Sequence, residues 1–144
     1  MKKLFALFIG LAALQTVACA DDKPIALKDL PAAAQQFLKQ YFPDVKATYA
    51  KVDNDLWGKN YEVLMADGSS VESDKTGNWT DVSCKASQVP AAVIPQAIRN
   101  HVAQQHPDQR IVSIDRDSKD YEVKLSNGVE LKFDLKFNLI GFDD

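Results

Sequence analysis

Residues 59–79 read KNYEVLMADGSSVESDKTGNW, and residues 119–139 read KDYEVKLSNGVELKFDLKFNL. Tyr61-Glu62-Val63 returns as Tyr121-Glu122-Val123, Asp67-Gly68 as Asn127-Gly128, and Asp74 as Asp134. In the second stretch Tyr121, Val123 and Leu125 alternate with Glu122, Lys124 and Ser126; Val129, Leu131 and Phe133 then alternate with Glu130, Lys132 and Asp134. A period of two marks strands with one apolar face. Asn127-Gly128 between them predicts a type I′ hairpin turn, in which both central residues need positive φ.

Upstream of each stretch the period becomes helical. Leu30-Pro31 opens a pattern with Ala33, Ala34, Phe37, Leu38 and Tyr41 on one face, closed by Pro43. Ile94-Pro95 opens another with Ala97, Ile98, His101, Val102 and Gln105, closed by Pro107. Proline is harmless in a first helical turn and stops a helix beyond its end. Further strands are expected near 46–53 and 78–82, and near 110–116 and 137–142. The expected fold is α+β: two tandem repeats, each an N-terminal helix followed by a four-stranded antiparallel meander, with the helices packed on one face of the sheet. The offset between copies falls from 64 in the helices to 60 in the hairpins. The difference sits in the connection Asp53-Asn54-Asp55-Leu56-Trp57-Gly58, since surface loops accept insertions cheaply.

Residues 1–20 read as a signal peptide: Lys2-Lys3, an apolar run from Leu4 to Leu14, and a small-x-small site at Ala18-Cys19-Ala20. Cleavage after Ala20 gives a periplasmic or secreted chain; lipid anchoring at Cys19 is the alternative. Repeat one is then assigned to 21–84 and repeat two to 85–144, as one compact unit. Losing Lys2 and Lys3 leaves 15 basic residues against 20 acidic ones, a charge of about −5. No basic patch suits nucleic acid, and no second apolar run is long enough to span a membrane. The remaining cysteine, Cys84, cannot form an internal disulfide, and its sequence neighbours would not activate it.

The motifs LPxxxxxFLxxxFPD, YEV, DG and VExDxxGNW resemble the PepSY-like domains grouped with the β-lactamase-inhibitor protein. The resemblance runs from Ile25 to Asp144 in two copies. It implies an exported bacterial protein that binds another protein with the open face of its sheet. The chain departs from the inhibitor in lacking a disulfide within each repeat, so the inhibitor's particular target does not carry over.

Catalytic signatures are missing. His101 and His106 lie at the wrong spacing for one helical face, and there is no metalloprotease, nucleophile-elbow or phosphate-loop motif. The chain is expected not to be an enzyme. Asp53 and Asp55 are weak calcium candidates: oxygens fall at positions one and three and glycine at six, but Trp57 and Leu64 occupy positions that need oxygen ligands. No cofactor is expected, calcium being the one alternative. Alternation places Glu62, Leu64, Ser70, Glu72 and Asp74 on the open face of the first copy, and Glu122, Lys124, Glu130, Lys132 and Asp134 on that of the second. Tyr49 joins Leu64, Ile140 and Phe142 are assigned to the same face, and Trp57 caps the longer hairpin. Apolar and aromatic groups on a charged sheet face suit a protein interface. Tyr49, Trp57, Leu64, Ile140 and Phe142 are therefore the expected partner-binding residues of a non-catalytic module, an inhibitor or regulator of an envelope or secreted enzyme. The alternative function is a calcium- or ligand-responsive periplasmic sensor.

Overall fold

The computed structural model describes residues 22–56 and 58–144. Trp57, the 1–20 segment with Cys19, and the side chain of Asp55 lie outside the described residues. Among the described residues nine strands run in chain order: β1 (Asp22–Ile25), β2 (Ala47–Asp55), β3 (Gly58–Met65), β4 (Ser70–Ser73), β5 (Trp79–Ser83), β6 (Ile111–Arg116), β7 (Asp120–Leu125), β8 (Glu130–Asp134) and β9 (Leu139–Asp143). They form one antiparallel sheet in the order β1 to β9, each strand paired with the next. Helix α1 (Ala32–Tyr41) lies between β1 and β2, and α2 (Gln96–Gln105) between β5 and β6; a short 3-10 turn precedes each, at Leu27–Asp29 and Ala91–Val93.

The expectation of two repeats, each a helix with its own four-stranded meander, is thereby corrected. The sheet does not end at β5: Asp81 pairs with Asp115, Val82 with Ile114 and Ser83 with Ser113. It also does not begin at β2, because Asp22–Ile25 pairs with Asp53–Ala50. A β5 edge would have left a row of backbone donors and acceptors unpaired, and pairing with β6 satisfies them. Strand β1 escapes sequence reading because it is four residues long and contains Pro24, a residue tolerated in a sheet only at an edge.

Cross-strand partners point to the same face, so the register defines which residues share it. One transverse row runs Ala50, Val63, Val71, Val82, Ile114, Val123, Leu131, and every member is buried. The helices cover this face. In α1, Ala34 and Phe37 are buried, with the Phe37 ring 6.4 Å from Trp79. In α2, Ile98 and Val102 are buried, and His101 meets the Phe133 ring edge-on at 5.3 Å. Pro31 and Pro95 sit at the N-caps, and their carbonyls accept the first helical hydrogen bonds from Ala34 and Ile98. The helix-facing set expected from alternation, from Tyr61, Val63 and Met65 to Leu131 and Phe133, belongs to the core or packs against it.

The hairpin at Asn127-Gly128 occurs where expected but is not type I′. Gly128 has φ +92, whereas Phe137 is the one non-glycine residue with positive φ among the described residues. The Gly128 amide donates to the Leu125 carbonyl and the Leu125 amide to the Val129 carbonyl. That pattern is a three-residue loop with glycine in the left-handed position. The Asn127 side chain accepts from the Val129 amide, and Asp67 accepts likewise from Ser69 in the matching loop.

Candidate functional site: the open face of the sheet

One row of the uncovered face holds most of its chemistry. Lys51 pairs with Glu62, Glu62 with Glu72, Glu72 with Asp81, Asp81 with Asp115, Asp115 with Glu122, and Glu122 with Lys132. Carboxylates from β3, β4, β5, β6 and β7 thus stand side by side at the strand spacing of about 4.8 Å, with a lysine at each end. Lys51 lies 3.4 Å from Glu62 and 3.0 Å from Asp22. Like charges directly opposite one another destabilise a sheet. The carboxyl of Asp81 is pushed up to about 6, first by burial and then by Glu72, Asp115 and Glu62. Burial, reinforced by neighbouring acids, also raises Glu72, Asp115 and Glu122.

This arrangement has a pH signature. A carboxyl raised in the folded state contributes stability that is fully present below its unfolded pKa and is lost as pH rises through the folded value. For Asp81 the window runs from the ordinary 3.8 to about 6. The protein should therefore melt higher at about pH 5 than at about pH 7.5. Asp81→Asn should be more stable than the parent at the higher pH by about 1 kcal/mol, allowing for solvent screening, and should flatten the profile. A variant with an unchanged pH profile would show that this row does not set it. Asp74, Asp117 and Asp134 act oppositely. Their carboxyls are held low, those of Asp117 and Asp134 chiefly by backbone amide donors and that of Asp74 by the Thr76 hydroxyl and nearby amides against the opposing effect of burial. Their contribution is lost only in stronger acid.

The sequence-predicted site residues do not converge. Tyr49 and Leu64 are cross-strand partners on the open face, 41% and 40% exposed, in the row next to the carboxylates. Ile140 and Phe142 lie on the far edge strand, 56% and 58% exposed. Phe142 pairs with the buried Leu131 and its ring stacks against His106 at 6.4 Å, so it belongs to the helix-covered side rather than the open face. Ile140 sits at the register shift where Lys132 pairs with Gly141 but Phe133 pairs with Leu139. Asp53 lies opposite Asp22 and Asn60. No group of three or more His, Cys, Asp or Glu side chains is arranged to hold a metal ion among the described residues. Cys84 is buried, and its desolvation pushes the thiol up, away from nucleophilic use. Sequence reasoning passed over Asp81 and Asp115, the centre of the acidic row. The signal was their place one residue from the apolar Val82 and Ile114, but only the β5–β6 register joins them.

The chain belongs to the PepSY-like family, whose model, described as "Putative beta-lactamase-inhibitor-like, PepSY-like", matches residues 59–141. It is similar to a solved structure from Bacteroides thetaiotaomicron described as a "putative calcium-regulated periplasmic protein", with 53% identity and a TM-score of 0.85 over 88% of this chain and 99% of that one. A solved structure from Bacteroides vulgatus described as a "putative periplasmic protein" is similar at 51% identity and TM-score 0.83, over 86% of this chain and 98% of that one. A second from the same organism, described as a "putative periplasmic protein of unknown function", is 33% identical with TM-score 0.82, over 85% and 99%. No curated protein matches the chain. Among the described residues no helix is long and apolar enough to cross a membrane.

Proposed function

We propose that the protein is a non-catalytic periplasmic binding module that grips a partner protein through the open face of its sheet, as an inhibitor or regulator of an envelope or secreted enzyme. The observation that carries this reading is the carboxylate row from Glu62 to Glu122, held on adjacent strands of a single sheet. Five acids whose repulsion is built into the fold are complementary to a surface bearing lysines and arginines, and a cationic partner would relieve that repulsion on docking. Tyr49 and Leu64, exposed beside the row, supply the apolar contact that charge alone does not. Export by cleavage after Ala20 completes the reading, and the periplasmic relatives support it.

The test uses Glu72→Gln, Asp81→Asn and Asp115→Asn together, a variant expected to fold at least as well as the parent. A partner recovered from envelope extract by the parent should be released by moderate salt and lost with the variant. Equal capture by both proteins would sink the open-face reading. A calcium-responsive role is the second reading, favoured by the description of the Bacteroides thetaiotaomicron relative. The described residues do not form a preassembled cation cage, so calcium would act on this face only by screening its charge. A rise in melting temperature with millimolar calcium in the parent and not in the triple variant would support that reading.

A further inference from the structure

Behind the sheet, on the side opposite the acidic row, a groove of about 580 Å³ opens between the Leu27–Asp29 turn, α1 and the start of β2. That volume is in the range of small-molecule sites. Leu27, Leu30, Leu38, Phe42 and Val45 form its walls, and Leu27 is left 41% exposed. Its polar lining is limited to Lys28, Lys39 and Gln35. Gln35 is already committed: its amide donates to the Lys28 carbonyl at 3.2 Å and the Leu30 carbonyl at 2.8 Å. The two ammonium groups remain, neither of them in an ion pair among the described residues, and no carboxylate lines the groove. The matching groove under α2 is an internal contrast. It holds about 230 Å³ and is lined by Arg99, Arg110 and His106, with the Arg99 guanidinium donating to the Ile94 carbonyl where Gln35 serves Leu30. The larger volume is thus particular to the α1 side, although Val89, Ile94, Val102 and Ile111 give the α2 groove aliphatic walls as well.

We propose that the α1 groove binds a single-chain carboxylate amphiphile of the fatty-acid type, its tail along Leu27, Leu38 and Phe42 and its head between Lys28 and Lys39. An apolar wall with a cationic rim selects for that combination of tail and charge. The experiment is displacement of a fluorescent long-chain polyenoic acid by laurate below its micellar concentration, with dodecyl maltoside as the neutral control. Laurate should compete and the neutral amphiphile should compete poorly. Lys28→Glu with Lys39→Glu, both on exposed positions, should weaken laurate about tenfold or more while the melting curve stays unchanged. Leu27→Asp, which removes an exposed wall residue, should weaken the fluorescent acid as well. Failure of laurate to bind at all, equal binding of laurate and the maltoside, or a double lysine variant that binds laurate like the parent would each overturn the proposal.

Discussion

Truncating Phe133 to alanine should cost about 3–5 kcal/mol of folding stability, the range for emptying a buried aromatic site. The ring is fully buried. It stands opposite Tyr121 on β7 and Leu139 on β9, with the His101 ring closing over it from α2. A sheet flanked on both sides by paired strands cannot collapse into the space, so the cavity persists and the loss falls at the upper end. Glu130, three residues earlier, is the control. It pairs with Lys124 on the open face through an ion pair of 3.6 Å, and such exposed pairs contribute little. Glu130→Ala should change stability by no more than about 0.5 kcal/mol. Urea melts of the two variants check this. Similar losses would contradict the register that puts Phe133 under the helix and Glu130 in solvent, since a slip of one residue exchanges the two faces.

That contrast also marks what the sequence made legible. Which residues of β3, β7 and β8 face the helices could be read from alternation, because face identity within a strand is local. The two helices were legible from their spacing and from prolines at both ends. What joins β5 to β6 was not. The three pairs from Asp81–Asp115 to Ser83–Ser113 connect segments separated by a helix, and no local period encodes such a pairing. The acidic row inherits this blindness: Glu62, Glu72 and Glu122 were placed singly on the open face, but the row exists only once Asp81 and Asp115 bridge its halves. Phe142 failed for another reason. Counting by two from Ile140 puts it on the open face, yet the register shift between Lys132 and Phe133 breaks the count, and the residue lands opposite Leu131. An irregularity of this kind changes parity without leaving a mark in hydrophobicity. The hairpin loops were located correctly because glycine is required there, although the type I′ expectation demanded one positive φ too many.

Gly77→Ala should be about as damaging as a core truncation, although the substitution adds only a methyl group. The turn 74–78 is built around Asp74, whose side chain accepts from the amides of Thr76 and Asn78, and it places residue 77 at φ +91. An alanine there costs about 1 kcal/mol for the left-handed backbone alone. The turn 134–138 shows that this cost can be borne. Asp134 accepts from Lys136 and Asn138 in the same way, and Phe137 adopts φ +68 with its ring 5.4 Å from Tyr121. Gly77 differs in what lies above it. A Cβ at this position would stand 2.9 Å from the backbone nitrogen of Ala34 and 2.9 Å from the Pro31 Cβ, at the first turn of α1. Neither atom can swing aside as a flexible side chain would, so the helix start must lift off the sheet, and overpacking of this sort adds about 1–3 kcal/mol. Gly68→Ala separates the two costs, because Gly68 shares φ +91 but has nothing within 4 Å of the added carbon. Denaturant melts should give a loss of about 1 kcal/mol for Gly68→Ala and about 3 kcal/mol for Gly77→Ala. Equal losses would mean that α1 gives way without resistance and that only backbone conformation demands glycine at position 77.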